Sequence, residues 1–123
     1  MRRIHVKNYS AWDPKTKRKL RRNNLGEYGL MREALYQDPL TFVMLDEDEL
    51  IGWSILINDY NFYIKHPLFG MFFVKKRYRR QGVGTALGMR MYRHGRFGHT
   101  DQDCPSFFRQ LKRQWQTTKT QNA

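Results

Sequence analysis

Phe73-Val74-Lys75-Lys76-Arg77-Tyr78-Arg79-Arg80-Gln81-Gly82-Val83-Gly84-Thr85-Ala86-Leu87 joins an apolar run to a helical pattern through a basic turn that carries two glycines. Upstream, Leu68–Val74 is continuously apolar, the pattern of a central strand buried on both faces. Downstream, Val83, Ala86, Leu87 and Met91 recur at helical spacing as far as His94-Gly95, where a glycine can end the helix. The order is therefore strand, basic glycine turn, helix. Glycine leaves no Cβ in the way, so the amides of a helix N-terminus can converge on an anion. Arg79 and Arg80 beside Gly82 add positive charge, and the stretch reads as a diphosphate cradle. In a plain connecting turn, the five Lys/Arg among residues 75–80 would repel one another.

Two common phosphate motifs do not fit. A P-loop has Gly-Lys-Ser/Thr after its first glycine and four further residues, whereas Leu87-Gly88-Met89 stands at that distance from Gly82. A dinucleotide-binding fold has a third glycine and an acid about 20 residues on, which Gly88 with Asp101 or Asp103 imitates. Only 35 residues follow Gly88, however, too few for the remaining strands and crossover helices.

Working outward, Thr41–Leu45, the acidic Asp46–Glu49 and Leu50–Ile57 read as strand, tight turn and strand. The alternation in Arg3-Ile4-His5-Val6-Lys7 predicts a short first strand. Asp13-Pro14 opens a helix, with Asp as N-cap and Pro at the first helical position. Lys15, Lys17, Arg18, Lys19, Arg21 and Arg22 leave that helix with Leu20 as its one strong apolar residue, so most of it faces solvent. A second helix is expected over Leu25–Tyr36, ended by Asp38-Pro39. Phe107, Phe108, Leu111 and Trp115 lie on one side of a last helix over Ser106–Trp115, before a polar tail. The division expected is a single domain over residues 1–115 and a tail over 116–123.

The chain has 123 residues, 23 Lys+Arg against 11 Asp+Glu and a net charge of +12, with 40% apolar residues, enough for one core and too many for a wholly disordered chain. No apolar stretch approaches the ~20 residues of a membrane span, and no apolar segment of a signal peptide follows Met1-Arg2-Arg3. A cytoplasmic protein is expected. The one cysteine, Cys104, and the histidines His5, His66, His94 and His99 show no ligand spacing, so no metal site is expected.

Val74, Tyr78, Arg79, Gly82 and Gly84, with the strand before and the helix after them, resemble the acyl-CoA signature of the GNAT superfamily of N-acetyltransferases. Lys76 stands where that family usually has a proline. The hairpin with Leu50-Ile51-Gly52-Trp53 is similar to the family's second and third strands, and the resemblance spans about residues 40–95. It implies an α/β fold (α+β) with a mixed, mostly antiparallel central sheet flanked by helices and a shortened C-terminal part. It further implies transfer of an acetyl group from acetyl-CoA to a primary amine by direct attack. The pantetheine arm would pair with the backbone of Phe72, Phe73 and Val74, and the pyrophosphate would sit on amides of Arg79, Arg80, Gln81, Gly82, Val83, Gly84 and Thr85.

The reaction takes a proton from an ammonium and returns one to a thiolate. The tyrosine acid common in the family aligns with Phe108 or Phe107, and Leu68–Val74 contains no glutamate. His66, Tyr78, Asp101 and Ser106 remain as candidates for proton transfer. The basic first helix leaves a second reading open: a GNAT-fold protein of weak or no activity that binds nucleic acid or an acidic protein through Lys15, Lys17, Arg18, Lys19, Arg21 and Arg22.

Overall fold

Alternating side chains produce the first strand. In the computed structural model, which describes residues 1–25, 35–58, 68–95, 97 and 105–121, Arg2–Asn8 form β1, with Ile4 and Val6 half-buried and their neighbours exposed. The Asp13 carboxylate caps helix α1 (Pro14–Arg22), accepting from the Thr16 amide at 3.0 Å and the Thr16 hydroxyl at 2.7 Å. These bonds hold its carboxyl below the usual carboxylate range. Leu20 is the buried residue of α1, as its lone apolar position requires. Most of the basic residues of α1 face solvent, as expected, while Lys17 and Lys19 are half-buried. The ammonium of Lys17 donates to the Ser10 carbonyl at 3.3 Å and lies 5.4 Å from the Tyr9 ring centroid, and that of Lys19 donates to the Asp48 carbonyl at 2.7 Å.

Leu40–Asp46 (β2) and Glu49–Asn58 (β3) form the expected hairpin around Glu47-Asp48, with Glu47 in the left-handed region at φ 55°. Met44 pairs with Gly52 and Leu45 with Leu50, so Ile51 is the extra residue of a β-bulge. Leu68–Val74 (β4) pairs with β3, and the sheet order is β1-β2-β3-β4, every pairing antiparallel. Helices flank this mostly antiparallel sheet as anticipated. β4 differs from the central strand its apolar run suggests: among the described residues it has a neighbour on one side only. Its side chains are nevertheless covered on both faces, Phe73 stacking on Trp53 and Phe72 meeting Phe97, Phe107 and Phe108.

Helix α2 (Val83–Tyr92) follows β4 through a short 3-10 turn at Lys76–Tyr78, and helix α3 spans Pro105–Gln121. α3 continues beyond Trp115 because neither Gly nor Pro interrupts Gln116–Gln121. There the Thr117 and Thr118 hydroxyls donate to the carbonyls of Arg113 and Gln114, both at 3.0 Å. The second helix expected over Leu25–Tyr36 falls mostly on residues 26–34, outside those described.

The sheet separates two cores. Trp12, Leu20 and Leu25 cover one face over Val43, Leu50, Trp53, Ile55 and Ile57. On the other, Val83, Leu87 and Met91 of α2 and Phe108 and Leu111 of α3 pack over Phe42, Met44, Ile51 and Leu56. No helix among the described residues is long and apolar enough to cross a membrane.

Candidate anion site at the start of helix α2

β4 runs out at Val74, and the Lys75 amide adds one more bond, to the Ile51 carbonyl at 3.0 Å. Beyond the 3-10 turn the backbone enters the left-handed region twice, at Arg80 (φ 62°) and Gly82 (φ 82°). Gly82 is the N-cap of α2 and brings no side-chain cap. The first helical bond runs from the Ala86 amide to the Gly82 carbonyl at 2.9 Å, which leaves the amides of Val83, Gly84 and Thr85 without intrahelical partners. Unpartnered amides at the positive end of a helix dipole form a ready anion site.

The glycines of this stretch do different work. A Cβ on Gly82 would meet nothing within 4 Å, so glycine serves the left-handed turn there and leaves open space before the helix. At Gly84 a Cβ would lie 3.1 Å from the Phe107 ring, and at Gly88 it would lie 2.4 Å from Leu111 Cδ2. Gly84 and Gly88, four residues apart, thus form a groove on α2 that admits Phe107 and Leu111 of α3, themselves four apart. Helix packing alone is enough to explain the second glycine of the motif.

The charges divide in the same way. Lys75 Nζ lies 3.6 Å from Glu49 Oε1, the Arg77 guanidinium bonds the same oxygen, and the Tyr78 hydroxyl donates to Oε2 at 2.7 Å. Mutual repulsion among the five basic residues is therefore relieved in part by Glu49, an acid 28 positions from Arg77 that reads in the sequence only as a hairpin residue. Gln81 accepts from the Arg2 guanidinium and donates to the Arg77 carbonyl, tying β1 to the turn. Arg79 Nε donates to the Val74 carbonyl at 3.0 Å, while Lys76 and Arg80 are exposed. The Tyr78 and Arg77 bonds hold the Glu49 carboxyl below its usual range, so the cluster keeps its charge through mild acid. The same bond to Glu49 pushes the Tyr78 phenol up.

Of the residues considered for proton transfer, Tyr78 has its hydroxyl on Glu49, and Ser106 is exposed in the first turn of α3 beside Phe107, at the Gly84 end of the helix pair. His66 and Asp101 lie outside the described residues. Phe108 is buried with its ring 5.5 Å from that of Phe72, and α3 contains no tyrosine. Phe72, Phe73 and Val74 are half-buried on β4, whose far edge carries backbone groups unpaired among the described residues. Among the described residues, no group of three or more His, Cys, Asp or Glu is placed to hold a metal ion.

An antiparallel sheet whose last strand leads through a glycine turn into a helix with a bare, positively flanked N-terminus is an α+β architecture with a candidate anion site at the sheet's end. The sequence matches the acetyltransferase (GNAT) family over residues 1–97, and the chain belongs to that family. The fold is also that of an aminoglycoside acetyltransferase from an uncultured soil metagenomic sample, solved in complex with trehalose. That structure is 16% identical, with a TM-score of 0.55, over 93% of this chain and 86% of the other. A comparison with curated proteins gives no match.

Proposed function

We propose that the protein transfers an acetyl group from acetyl-CoA to a primary amine, on a protein or a small molecule, in the cytoplasm. The observation that carries this reading is the first turn of α2: three amides without intrahelical partners, open space at Gly82 and the exposed Arg80 beside it. In this reading the amides of Arg79 to Thr85 hold the diphosphate, and the free edge of β4 at Phe72, Phe73 and Val74 pairs with the pantetheine arm. The neutral amine attacks the thioester carbon, the carbon–sulfur bond breaks, the new ammonium releases a proton and the thiolate takes one up. Of the two proton-transfer candidates among the described residues, Tyr78 lies directly before the cradle with its hydroxyl on Glu49, and Ser106 stands at the Gly84 end of the α2–α3 pair. With Phe at 107 and 108, turnover on generic amines is expected to be slow.

Calorimetric titration with acetyl-CoA, together with thiol release over a panel of amines, tests this. Saturable binding and a rise in melting temperature are expected, since a native-state ligand at 100 times its Kd stabilises by about 2.7 kcal/mol. An unmoved melting temperature at millimolar acetyl-CoA refutes the reading.

A second reading, binding of nucleic acid or an acidic protein, is favoured by Lys15, Arg18, Arg21 and Arg22, which are exposed on α1, across the sheet from α2. Replacing these four by Gln is expected to flatten the salt dependence of duplex DNA binding by about 0.9 in log K against log salt for each phosphate no longer neutralised. CoA affinity should stay as it was. A parent protein with no affinity for DNA or RNA near physiological salt removes the nucleic-acid reading.

A further inference from the structure

Glu49 opens β3 directly after the two-residue turn of the hairpin. Its two oxygens take up the Lys75 ammonium at 3.6 Å, the Arg77 guanidinium and the Tyr78 hydroxyl at 2.7 Å. Two residues further along β3, the Ile51 carbonyl accepts from the Lys75 amide at 3.0 Å. One strand therefore fastens the turn by backbone and side chain together. Tyr78 is fixed from its ring as well, with the Arg2 guanidinium carbon 5.6 Å and that of Arg77 5.0 Å from the ring centroid. Gln81, between Arg2 and the Arg77 carbonyl, extends the fastening to the residue before Gly82. Arg79, Arg80 and the bare amides of α2 come next in the chain and inherit their direction from this anchored turn. Lys76 and Arg80 take no part in the Glu49 cluster and point to solvent.

We propose that Glu49 is a positioning residue of the anion site: it draws Lys75, Arg77 and Tyr78 onto β3 and so holds the Val83, Gly84 and Thr85 amides in register with the free edge of β4, which an acyl-CoA has to meet at the same time as its diphosphate meets the amides. This role rests on the acyl-CoA reading given above. Positioning and simple electrostatics make opposite demands. A carboxylate among cations lowers the local positive potential, so if charge alone mattered, its removal would free Lys75 and Arg77 and tighten the binding of any anion. If Glu49 sets the register of the turn against β4, its removal weakens a ligand that must meet the amides and the β4 edge together, and leaves unharmed a small anion that meets the amides and cations alone.

Glu49→Gln, which keeps the size of the side chain and removes its charge, is to be titrated with CoA and separately with inorganic pyrophosphate. The CoA Kd is expected to rise about tenfold, which corresponds to about 1.4 kcal/mol, while the pyrophosphate Kd stays level or falls. A general loss of structure weakens both ligands and would overturn the proposal, as would an unchanged or tighter CoA Kd in a folded Glu49→Gln protein. Tyr78→Phe, which removes a single hydroxyl, should weaken CoA in the same direction by a smaller factor and carries the test should Glu49→Gln not fold. If the parent itself binds no CoA, the acyl-CoA reading fails and this role falls with it. If the parent binds and Glu49→Gln equals it, only the role of Glu49 is lost.

Discussion

Gly82→Asp is expected to weaken CoA binding by about 100-fold, while Gly82→Asn leaves it within a few-fold of the parent. Asn and Asp are nearly the same shape, and both tolerate the left-handed backbone that Gly82 adopts at φ 82°. The space beyond the glycine is free, with nothing within 4 Å of an added Cβ, so neither side chain need disturb the core. The two variants differ in one negative charge at the mouth of the amide cluster. Placed some 5 Å from a diphosphate at an effective dielectric near 20, that charge costs about 3 kcal/mol. Calorimetry on the two variants reads the difference directly, and equal affinities would move the diphosphate away from this turn. Gly84 is the poorer place for such a test: a side chain there meets Phe107 at 3.1 Å, so Gly84→Glu pries α3 from α2 before any ligand is considered.

Trp53→Ala is expected to destabilise the protein by about 3–5 kcal/mol, a large fraction of the 5–15 kcal/mol typical of a domain. Trp53 is 1% exposed, stacks on Phe73 with ring centroids 6.0 Å apart and donates from Nε1 to the Asn23 carbonyl at 2.7 Å. It therefore joins β3 to β4 and to the end of α1 at once. Truncation leaves a cavity in the α1-side core and a carbonyl without its donor. Tyr36→Ala, at a residue 91% exposed, should change stability by no more than about 0.5 kcal/mol. Urea unfolding followed by far-UV circular dichroism compares the two. Equal midpoints would mean that the α1 face contributes no core.

Local features of this chain were legible because they are properties of adjacent residues. The Asp13-Pro14 start, the hairpin around Glu47-Asp48 and the strand-turn-helix at Val74–Val83 each follow from short-range patterns that the structure reproduces. What stayed hidden depends on distant partners. Glu49 reads as one acid of a polar turn, and only the antiparallel register of β3 and β4 brings it to residues 75–78. Gly88 looks like an imitation of a dinucleotide motif until Leu111 is seen to fill its place. Lys17 and Lys19 look like their neighbours on α1, yet carbonyls at Ser10 and Asp48 claim them. Apolar character suggested a central strand buried on both faces, whereas β4 has side-chain contacts on both faces but its residues 71–74 are half-buried. That character carried no information on how many strands lie beside β4, because aromatic rings from α3 supply part of the cover.

In this sheet, spatial order equals chain order: each strand pairs with the one before it, β1 to β2, β2 to β3 and β3 to β4. Pairing between consecutive strands keeps the contact order low, and loop closure costs least where the connection is shortest. The β2–β3 hairpin, closed by Glu47-Asp48, is therefore the pairing with the least loop entropy to overcome, and it is expected to form first, with β4 and β1 on its two edges. Glu49 lies on that hairpin, so in such an order the anchor for the basic turn is expected to be in place before the turn reaches it. Two of the five cations of residues 75–80, Lys75 and Arg77, thus meet a carboxylate that the hairpin already holds, and this pairing favours one arrangement of the turn among the several that mutual repulsion would otherwise leave open.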